Sequence, residues 1–262
     1  MRVFEMRFVA MAGLMALWFS GCGDNNNVLG SLADDNSIQA KTQDGQAALD
    51  RGDCQTAINN FTDVYNHDPN DVKARINLSG AYACRAGFSA TTLIRIAADY
   101  IASGQSVDQF NLFKAIAVDV VPQVSPTWDA DTAQALSYLT DLNLPPTVSC
   151  SPAPFAYDSD AAFHAAIILT ARSVLALSQI QGPTPDVIQI SLITPTVVMQ
   201  IGNALSAADG GMACANSLVG GTAISGTDLA QAIHDLNLAA GALLAPADLE
   251  LFLSNQGFTL QP

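Results

Sequence analysis

The stretch GQAALDRGDCQTAINNFTDVYNHDPNDVKARINLSGAYACRAG, residues 45–87, decides the fold predicted for this chain. Gly52 marks a turn within it, and Pro69 marks a second one. Between them, Ala57 and Phe61 lie four residues apart and therefore on one face of a helix. Two helices approach closely where their facing side chains are small, and a large aromatic then fills the space beside them. The pattern therefore predicts a helical hairpin.

The pattern begins again in weaker form after the second turn. Tyr82 follows Ala48 by about 34 residues, which is the period of the tetratricopeptide repeat. The stretch resembles that family, although Arg95 stands where Phe61 predicts an aromatic. The resemblance implies helical hairpin repeats over residues 43–105, which would form a surface that holds a protein or peptide partner.

The remaining residues, 106–262, are expected to cover these repeats, because two repeats alone do not bury their open faces. Apolar residues recur there at helical spacing, and no alternating run is long enough to predict a sheet. One helix is expected to end at Gly104, and another to run from the capping-box match at Ser106 to the residue before Pro122. Further helices are expected at 129–142, 160–180, 186–193, 196–208, 228–244 and 247–254. The predicted fold class is all-α, with tetratricopeptide-like hairpins continuing into a helical bundle or array.

Two glycine pairs are expected to bracket a loop in this second half. They are Gly210-Gly211 and Gly220-Gly221, with Cys214 between them. The stretch lacks the lysine and the preceding strand of a phosphate-binding loop, so loop flexibility is the simpler interpretation.

Residues 1–21 have the layout of a secretory signal peptide. Two arginines precede an apolar run, and small residues stand directly before Cys22. The tetrad FSGC, residues 19–22, looks like a bacterial lipobox, which implies that this cysteine is the lipid-modified, palmitate-bearing first residue of a lipoprotein. The alternatives are a plain secretory signal and a cytosolic start. The resemblance places the protein in the bacterial cell envelope. In that family an Asp directly after the cysteine favours the inner membrane; Gly23 stands there instead, which favours the outer membrane, facing the periplasm.

Residues 22–42 are rich in Asp and Asn and poor in apolar side chains. Such a composition predicts a flexible tether between the lipid and the folded body. The chain is therefore expected to have four parts: a signal peptide at 1–21, this tether, the repeats at 43–105, and a helical region at 106–262 packed on the repeats.

Four cysteines remain once Cys22 is assigned to lipid, and they lie in an oxidising compartment, where disulfides persist. Four cysteines can pair in three ways. The repeat register implied by the resemblance brings Cys54 and Cys84 to one edge of the array and leaves Cys150 and Cys214 for each other. The alternative is four buried free thiols. No Cys/His pattern predicts a metal site, and no cofactor is expected.

The chain is strongly acidic, with a formal net charge of −14. Such a surface repels phosphate backbones, so nucleic-acid binding is not expected. The apolar run at 160–180 is long enough to cross a bilayer, but it contains Asp160, His164 and Arg172. Charged side chains are costly in hydrocarbon, so the run is better interpreted as a buried helix.

Catalytic motifs are missing from the sequence: it contains no GxSxG, Walker, HExxH or GxGxxG pattern. Asp160 and His164 stand one helical turn apart and could form an acid/base couple. A local hydrogen bond at the start of a helix is the simpler interpretation. We therefore expect no enzyme, and a helical hydrolase is the least favoured function.

The expected function is that of a non-enzymatic, lipid-anchored envelope protein that binds a partner through its tetratricopeptide-like surface. Members of that family do this in outer-membrane assembly, secretion and pilus systems. The candidate contact residues are Arg75, Asn77 and Tyr82, because the core does not explain polar side chains on a concave face. Arg75 could clasp a partner's carboxylate or pair with Asp71, and Tyr82 could instead pack between repeats. The alternative function is a periplasmic lipoprotein that carries or senses a small apolar ligand in its helical C-terminal half.

Overall fold

The computed structural model describes residues 37–88, 90–140, 159–218, 228–241 and 243–262. These residues are mostly helical, which confirms the all-α class. The helices are α1 (Ile38–Asp50), α2 (Cys54–His67), α3 (Val72–Arg85), α4 (Ala90–Ser103), α5 (Val107–Phe110), α6 (Leu112–Val120), α7 (Trp128–Thr140), α8 (Ser159–Leu175), α9 (Pro195–Leu218), α10 (Asp228–Ala240) and α11 (Pro246–Asn255). Short 3-10 turns occur at Val121–Gln123, Ala176–Gln179 and Ile190–Leu192, and two strands are β1 (Val187–Gln189) and β2 (Thr259–Gln261). Residues 41–262 group into one compact unit.

The predicted hairpin is formed by α1 and α2, and α3 packs against it. A Cβ on Gly45 would lie 2.6 Å from the ring of Phe61, so only glycine lets the two helices approach this closely. Ala48, Ala57 and Phe61 are fully buried, and Leu78 of α3 completes the same apolar cluster. The spacing of small and aromatic residues therefore correctly predicts that these two helices approach each other closely.

A disulfide joins α2 to α3. Cys54 is the first residue of α2, and it is bonded to Cys84 near the end of α3, with the two Cα atoms 5.6 Å apart. This is the pairing that the repeat register predicts. A bond across a sequence separation of 30 residues contributes about 3 to 4 kcal/mol by restricting the unfolded chain. Cys214 is also disulfide-bonded, and its predicted partner, Cys150, lies outside the described residues.

The second helical unit differs from a sequential repeat. Among the described elements, α3 packs most extensively along α7 and α2, whereas α4 packs mainly against α10 and α6. The helix that lies along α3 thus comes from later in the chain. Arg95 of α4 stands where a repeat would bury an aromatic, and its guanidinium instead bonds to Asp99 and Asp119 at the surface. A charged side chain at this position cannot fill the space between two helices.

The apolar run at 160–180 forms α8 and the 3-10 turn that follows it. The segment Ser159–Gln179 is long and apolar enough to cross a bilayer, but 78% of its most apolar window is buried inside the protein. Its most extensive contact is with α9. This agrees with the prediction of a buried core helix.

The loop expected at Gly210-Gly211 is instead the middle of α9, so that prediction is wrong for this glycine pair. A Cβ on Gly211 would lie 3.1 Å from the Cβ of Ala166 and 3.4 Å from the Ala162 carbonyl oxygen. The glycine therefore permits close packing of α8 on α9 and does not break the helix. Cys214, expected in the loop, is a buried residue of α9, and Gly220-Gly221 lies outside the described residues.

The helix predicted from Ser106 to Pro122 is broken into α5 and α6. Asn111 lies between them in the left-handed region, at φ 54°. The next turn is fixed by a distant contact, because the Phe113 amide donates to the buried side-chain oxygen Oε1 of Gln256, at 2.9 Å. The break thus depends on a contact that local spacing cannot reveal.

Residues 186–193, expected to be helical, contain the short strand β1 instead. Val187 pairs with Thr259 and Gln189 with Gln261, so β1 and β2 form a two-stranded parallel sheet. Val187 and Ile188 are β-branched residues, which favour strands. The end of the predicted tether also differs, because α1 begins at Ile38 and the Ser37 hydroxyl accepts a hydrogen bond from the Ala40 amide.

Candidate functional site: a cleft along α3

A cleft of about 940 Å³ lies between α1, α3 and α8. The α1–α2 turn closes one end of it, and a second cleft of about 410 Å³ lies toward the beginning of α3. Both clefts are lined by Ile76, Asn77 and His164, so they meet at these three side chains. Together they form one groove, which we call the α3 groove.

The groove follows α3 from Lys73 at one end to Arg85 at the other. One helix rises about 1.5 Å per residue, so this distance is about 18 Å. Apolar side chains of α8, Ile167 and Ile168, line the wall opposite the middle of α3. The groove therefore combines a long shape with both polar and apolar walls.

Gly80 lies in the middle of the α3 wall of the groove, and no neighbouring atom requires a glycine there. A Cβ built on it meets no atom within 4 Å, and its φ is not positive. By contrast, a Cβ on Gly45 would lie 2.6 Å from Phe61, and one on Gly211 would lie 3.1 Å from Ala166. Glycine inside a helix costs about 0.5 to 1 kcal/mol relative to alanine. A glycine without a packing role thus leaves space along the groove at a cost in stability.

Asn77 and His164 face the groove with unused hydrogen-bonding groups. Both are half-buried, and neither side chain has a hydrogen bond within the part of the chain that the structure describes. Burial lowers the pKa of His164, and the nearby Asp160 carboxylate opposes that shift only in part. The imidazole is therefore neutral near pH 7, with one donor and one acceptor nitrogen.

Two carboxylates mark the end of the groove at the α1–α2 turn. The Asp53 carboxylate accepts a hydrogen bond from the Thr56 amide, and the Thr56 side chain and amide lower its pKa. The neighbouring Asp50 is exposed, and its carboxylate lies 3.5 Å from the side-chain nitrogen of Gln46. Two exposed carboxylates side by side point to a negative potential at this end.

The guanidinium of Arg85 also lines this end, but its charge is already balanced. It lies 2.6 Å from the carboxylate of Asp131, which is only 3% exposed, and it also donates to Gln55 at 3.0 Å. Its guanidinium carbon lies 4.8 Å from the Tyr82 ring centroid. The Asp131 hydrogen bond raises the pKa of Arg85, so the guanidinium stays charged. Asp50 and Asp53 therefore outnumber Arg51, the one other charged side chain among residues 50–53, and leave this end with an excess of negative charge.

The structure removes Arg75 from the predicted contact residues. It is 5% exposed, and its guanidinium donates to the carbonyl oxygens of Pro69 at 2.5 Å and Tyr138 at 3.2 Å. The ring of Tyr65 lies beneath it, at 5.7 Å. A side chain held in this way fastens α3 to α7 and is not available to clasp a carboxylate. Its amide bonds to the Asp71 carbonyl oxygen, which is an ordinary helical bond and not the ion pair considered from the sequence.

The other two predicted contact residues have different places. Asn77 lines the groove, as described above. Tyr82 is half-buried and packs on Tyr138, with ring centroids 5.7 Å apart. Its position corresponds to the packing role considered from the sequence. Of the three predicted residues, the groove therefore contains only Asn77.

Asp160 and His164 lie on the same turn of α8, and both line the second cleft. A second carboxylate–histidine pair was not foreseen: the Asp209 carboxylate lies 3.1 Å from Nδ1 of His234 and also accepts from the Asn237 amide. It links α9 to α10, and the long-range contact leaves no signal in the sequence. Among the described residues, no group of three or more His, Cys, Asp or Glu side chains could hold a metal ion.

Gly80 is a further groove residue that the sequence pattern did not indicate. The signal that could have found it is a glycine in the interior of a predicted helix, away from the facing positions of the repeat. Cys22, the predicted lipidation site, lies outside the described residues. No family model matches the chain, and neither a curated protein nor a solved structure does.

Proposed function

We propose that the protein is a non-enzymatic lipoprotein of the bacterial envelope that binds a protein or peptide partner in the α3 groove. The lipid anchor is proposed from the FSGC tetrad at residues 19–22. The binding mode is proposed from the groove, whose walls include α1 and α3, the first helices of the two predicted repeat units. The tetratricopeptide resemblance favours a role in outer-membrane assembly, secretion or a pilus system.

The observation that carries the proposal is Gly80. A helix-interior glycine whose added Cβ would meet nothing within 4 Å costs stability without improving packing. It lies beside Asn77, whose amide has no hydrogen-bond partner among the described residues. Open space next to an unpaired polar group is what a bound chain would need, since glycine lets another backbone approach closely.

The alternative, an apolar ligand held in the C-terminal half, has less support. The contact between α8 and α9 is closely packed, with Gly211 against Ala166. Residues on the α8 face toward α9 are fully buried. The groove walls, in contrast, carry amide, imidazole and carboxylate groups, which suit a polar chain better than a hydrocarbon.

The experiment compares Gly80→Leu with Ala133→Leu, an exposed position on α7 outside the groove. Each full-length variant is cross-linked in native envelopes, and the captured partners are quantified by mass spectrometry against the parent. Filling the groove should reduce recovery of the partner by about tenfold, equivalent to ~1.4 kcal/mol of binding, without lowering the thermal midpoint. Ala133→Leu should recover as much partner as the parent. Unchanged recovery with Gly80→Leu would exclude the groove as the binding site.

A further inference from the structure

We propose that the α3 groove takes an extended peptide segment of about five residues, with a lysine or arginine side chain at the end beside Asp50 and Asp53. This inference rests on the proposed function and names the chemistry of the partner. Three properties of the groove carry it: its length, its uncharged polar middle and its acidic end.

The length sets the size of the segment. The groove extends along α3 from Lys73 to Arg85, about 18 Å at the rise of a helix. An extended chain advances about 3.3 Å per residue, so this distance accommodates about five residues. A helical segment would bond its main-chain N–H and C=O groups internally, whereas an extended segment leaves them available to the groove walls, which favours the extended form.

The middle of the groove matches a main chain. Asn77 from α3 and His164 from α8 both line it, and each offers a donor and an acceptor without a partner among the described residues. A peptide group presents the complementary pair, an N–H donor and a C=O acceptor. Gly80 follows Asn77 by about one helical turn on the same wall, where a backbone can come close. Apolar contact with Ile76 and Ile167 can then take one of the peptide's side chains.

The charge at the α1–α2 turn orients the segment. Asp50 has no ion pair among the described residues, and Asp53 is used only as a helix cap. Arg51 lies next to them and lowers the pKa of Asp53, but it does not line the groove. Because Arg85 is balanced by Asp131, a cationic side chain is what this end lacks. The net charge of −14 would also steer a basic segment toward the protein.

The opposite end has no such preference. Lys73 and Asp160 both line the second cleft, so it presents one positive and one negative side chain. A peptide should therefore bind in one direction, with its basic residue at the Asp50 end. A salt-dependent affinity follows, since the charges are exposed to solvent.

The test uses the full-length protein and pools of acetylated, amidated pentapeptides labelled with a fluorophore. Each pool fixes one position as Lys, norleucine or Glu, and the other positions hold an equal mixture of Ala, Leu, Ser and Asn. Fluorescence polarisation should show a terminal Lys pool binding about tenfold tighter than the matched Glu pool. Asp50→Asn should reduce that ratio by about threefold or more, whereas Asp44→Asn, an exposed carboxylate on the same helix outside the groove, should leave it unchanged.

The main-chain contacts have a separate readout. Asn77→Leu should weaken the Lys, norleucine and Glu pools by similar factors, because the peptide backbone is common to all three. Equal binding of Lys and Glu pools, or an unchanged ratio in Asp50→Asn, would overturn the basic-segment inference while leaving partner binding intact. If no pool binds but Gly80→Leu still loses its envelope partner, the short extended segment is wrong and the proposed function stands. If Gly80→Leu keeps its partner and no pool binds, both proposals fail.

Discussion

The α1–α3 region and the α8–α9 pair both use glycine to bring helices together, but only one of them is filled completely. In the first, Gly45 receives the ring of Phe61, while Gly80 faces open space. In the second, Gly211 lies against Ala166 and the facing side of α8 is buried throughout. The same residue type thus closes one contact and leaves another open. The neighbours, and not the residue, decide which role a helical glycine has.

The two regions also differ in how they are fastened. The α1–α3 region has a disulfide and the ion pair between Arg85 and Asp131 beside the groove. In α8, the buried hydroxyls of Thr170 and Ser173 bond to carbonyl oxygens of their own helix. Apolar packing therefore forms the contact between α8 and α9, and Cys214 of α9 is disulfide-bonded as well. The open region is held by covalent and charged contacts around the groove, which can keep its walls in place when the middle is empty.

The largest expected effect breaks the packed part of the α1–α3 region. Phe61→Ala removes a fully buried ring that fills the space over Gly45, so the free energy of unfolding should fall by about 3 to 5 kcal/mol. Urea unfolding measures the change. Leu251→Ala is the matched control, because this side chain is 65% exposed and its loss should change stability by less than about 0.5 kcal/mol. A loss of under about 1 kcal/mol for Phe61→Ala would mean that the apolar cluster of Ala48, Ala57, Phe61 and Leu78 does not hold this region together.

The hairpin could be predicted from local spacing, and the disulfide from the repeat register that the tetratricopeptide resemblance implies. Ala57 and Phe61 are one helical turn apart, and Cys54 and Cys84 occupy helix ends that the repeat register brings together. The interior position of α8 could also be predicted, since an apolar run with charged side chains inside it is better buried in protein than in lipid. The hairpin and the burial of α8 need no knowledge of distant contacts.

The groove could not be predicted, because it depends on helices that are far apart in the sequence. From the sequence, Arg75 is expected to be an exposed cation. In the structure α7 lies beside it, and the Tyr138 carbonyl oxygen accepts a hydrogen bond from its guanidinium. His164 drew attention as a partner of Asp160, but its place opposite Asn77 follows only from the packing of α8 on α3. The packing of α7 along α3 is likewise a contact between distant parts of the sequence, and the repeat pattern does not predict it.

An intermediate effect sharpens the comparison, because the same substitution should have opposite signs in the two regions. Gly80→Ala should raise the free energy of unfolding by about 0.5 to 1 kcal/mol, since the methyl group meets nothing and the helix gains propensity. Gly211→Ala should lower it by about 1 kcal/mol, because its Cβ would lie 3.1 Å from the Cβ of Ala166, which is fixed on a helix that is buried along most of its length. Chemical denaturation of both variants beside the parent decides this. Stabilisation in both, or in neither, would contradict the distinction between an open and a closed glycine.

The smallest expected effect concerns His164, the half-buried imidazole in the groove wall. Burial lowers its pKa in the folded protein, and the unfolded chain keeps the ordinary value of 6.5. Between these two values the unfolded chain binds more protons, so this histidine's contribution to stability is complete above about pH 6.5 and is lost as the pH falls toward the folded-state pKa. The thermal midpoint of the parent should therefore fall more between about pH 7.5 and pH 5.5 than that of His164→Gln.

The control is His67→Gln, which removes an exposed histidine at the end of α2, outside the groove. Differential scanning fluorimetry at matched ionic strength measures all three proteins, so that screening of the exposed carboxylates stays constant. Equal pH slopes for the parent and His164→Gln would show that the groove wall is solvated like an ordinary surface. A shallower slope for His164→Gln alone would support a neutral imidazole, which is the form that can offer both a donor and an acceptor to a bound main chain.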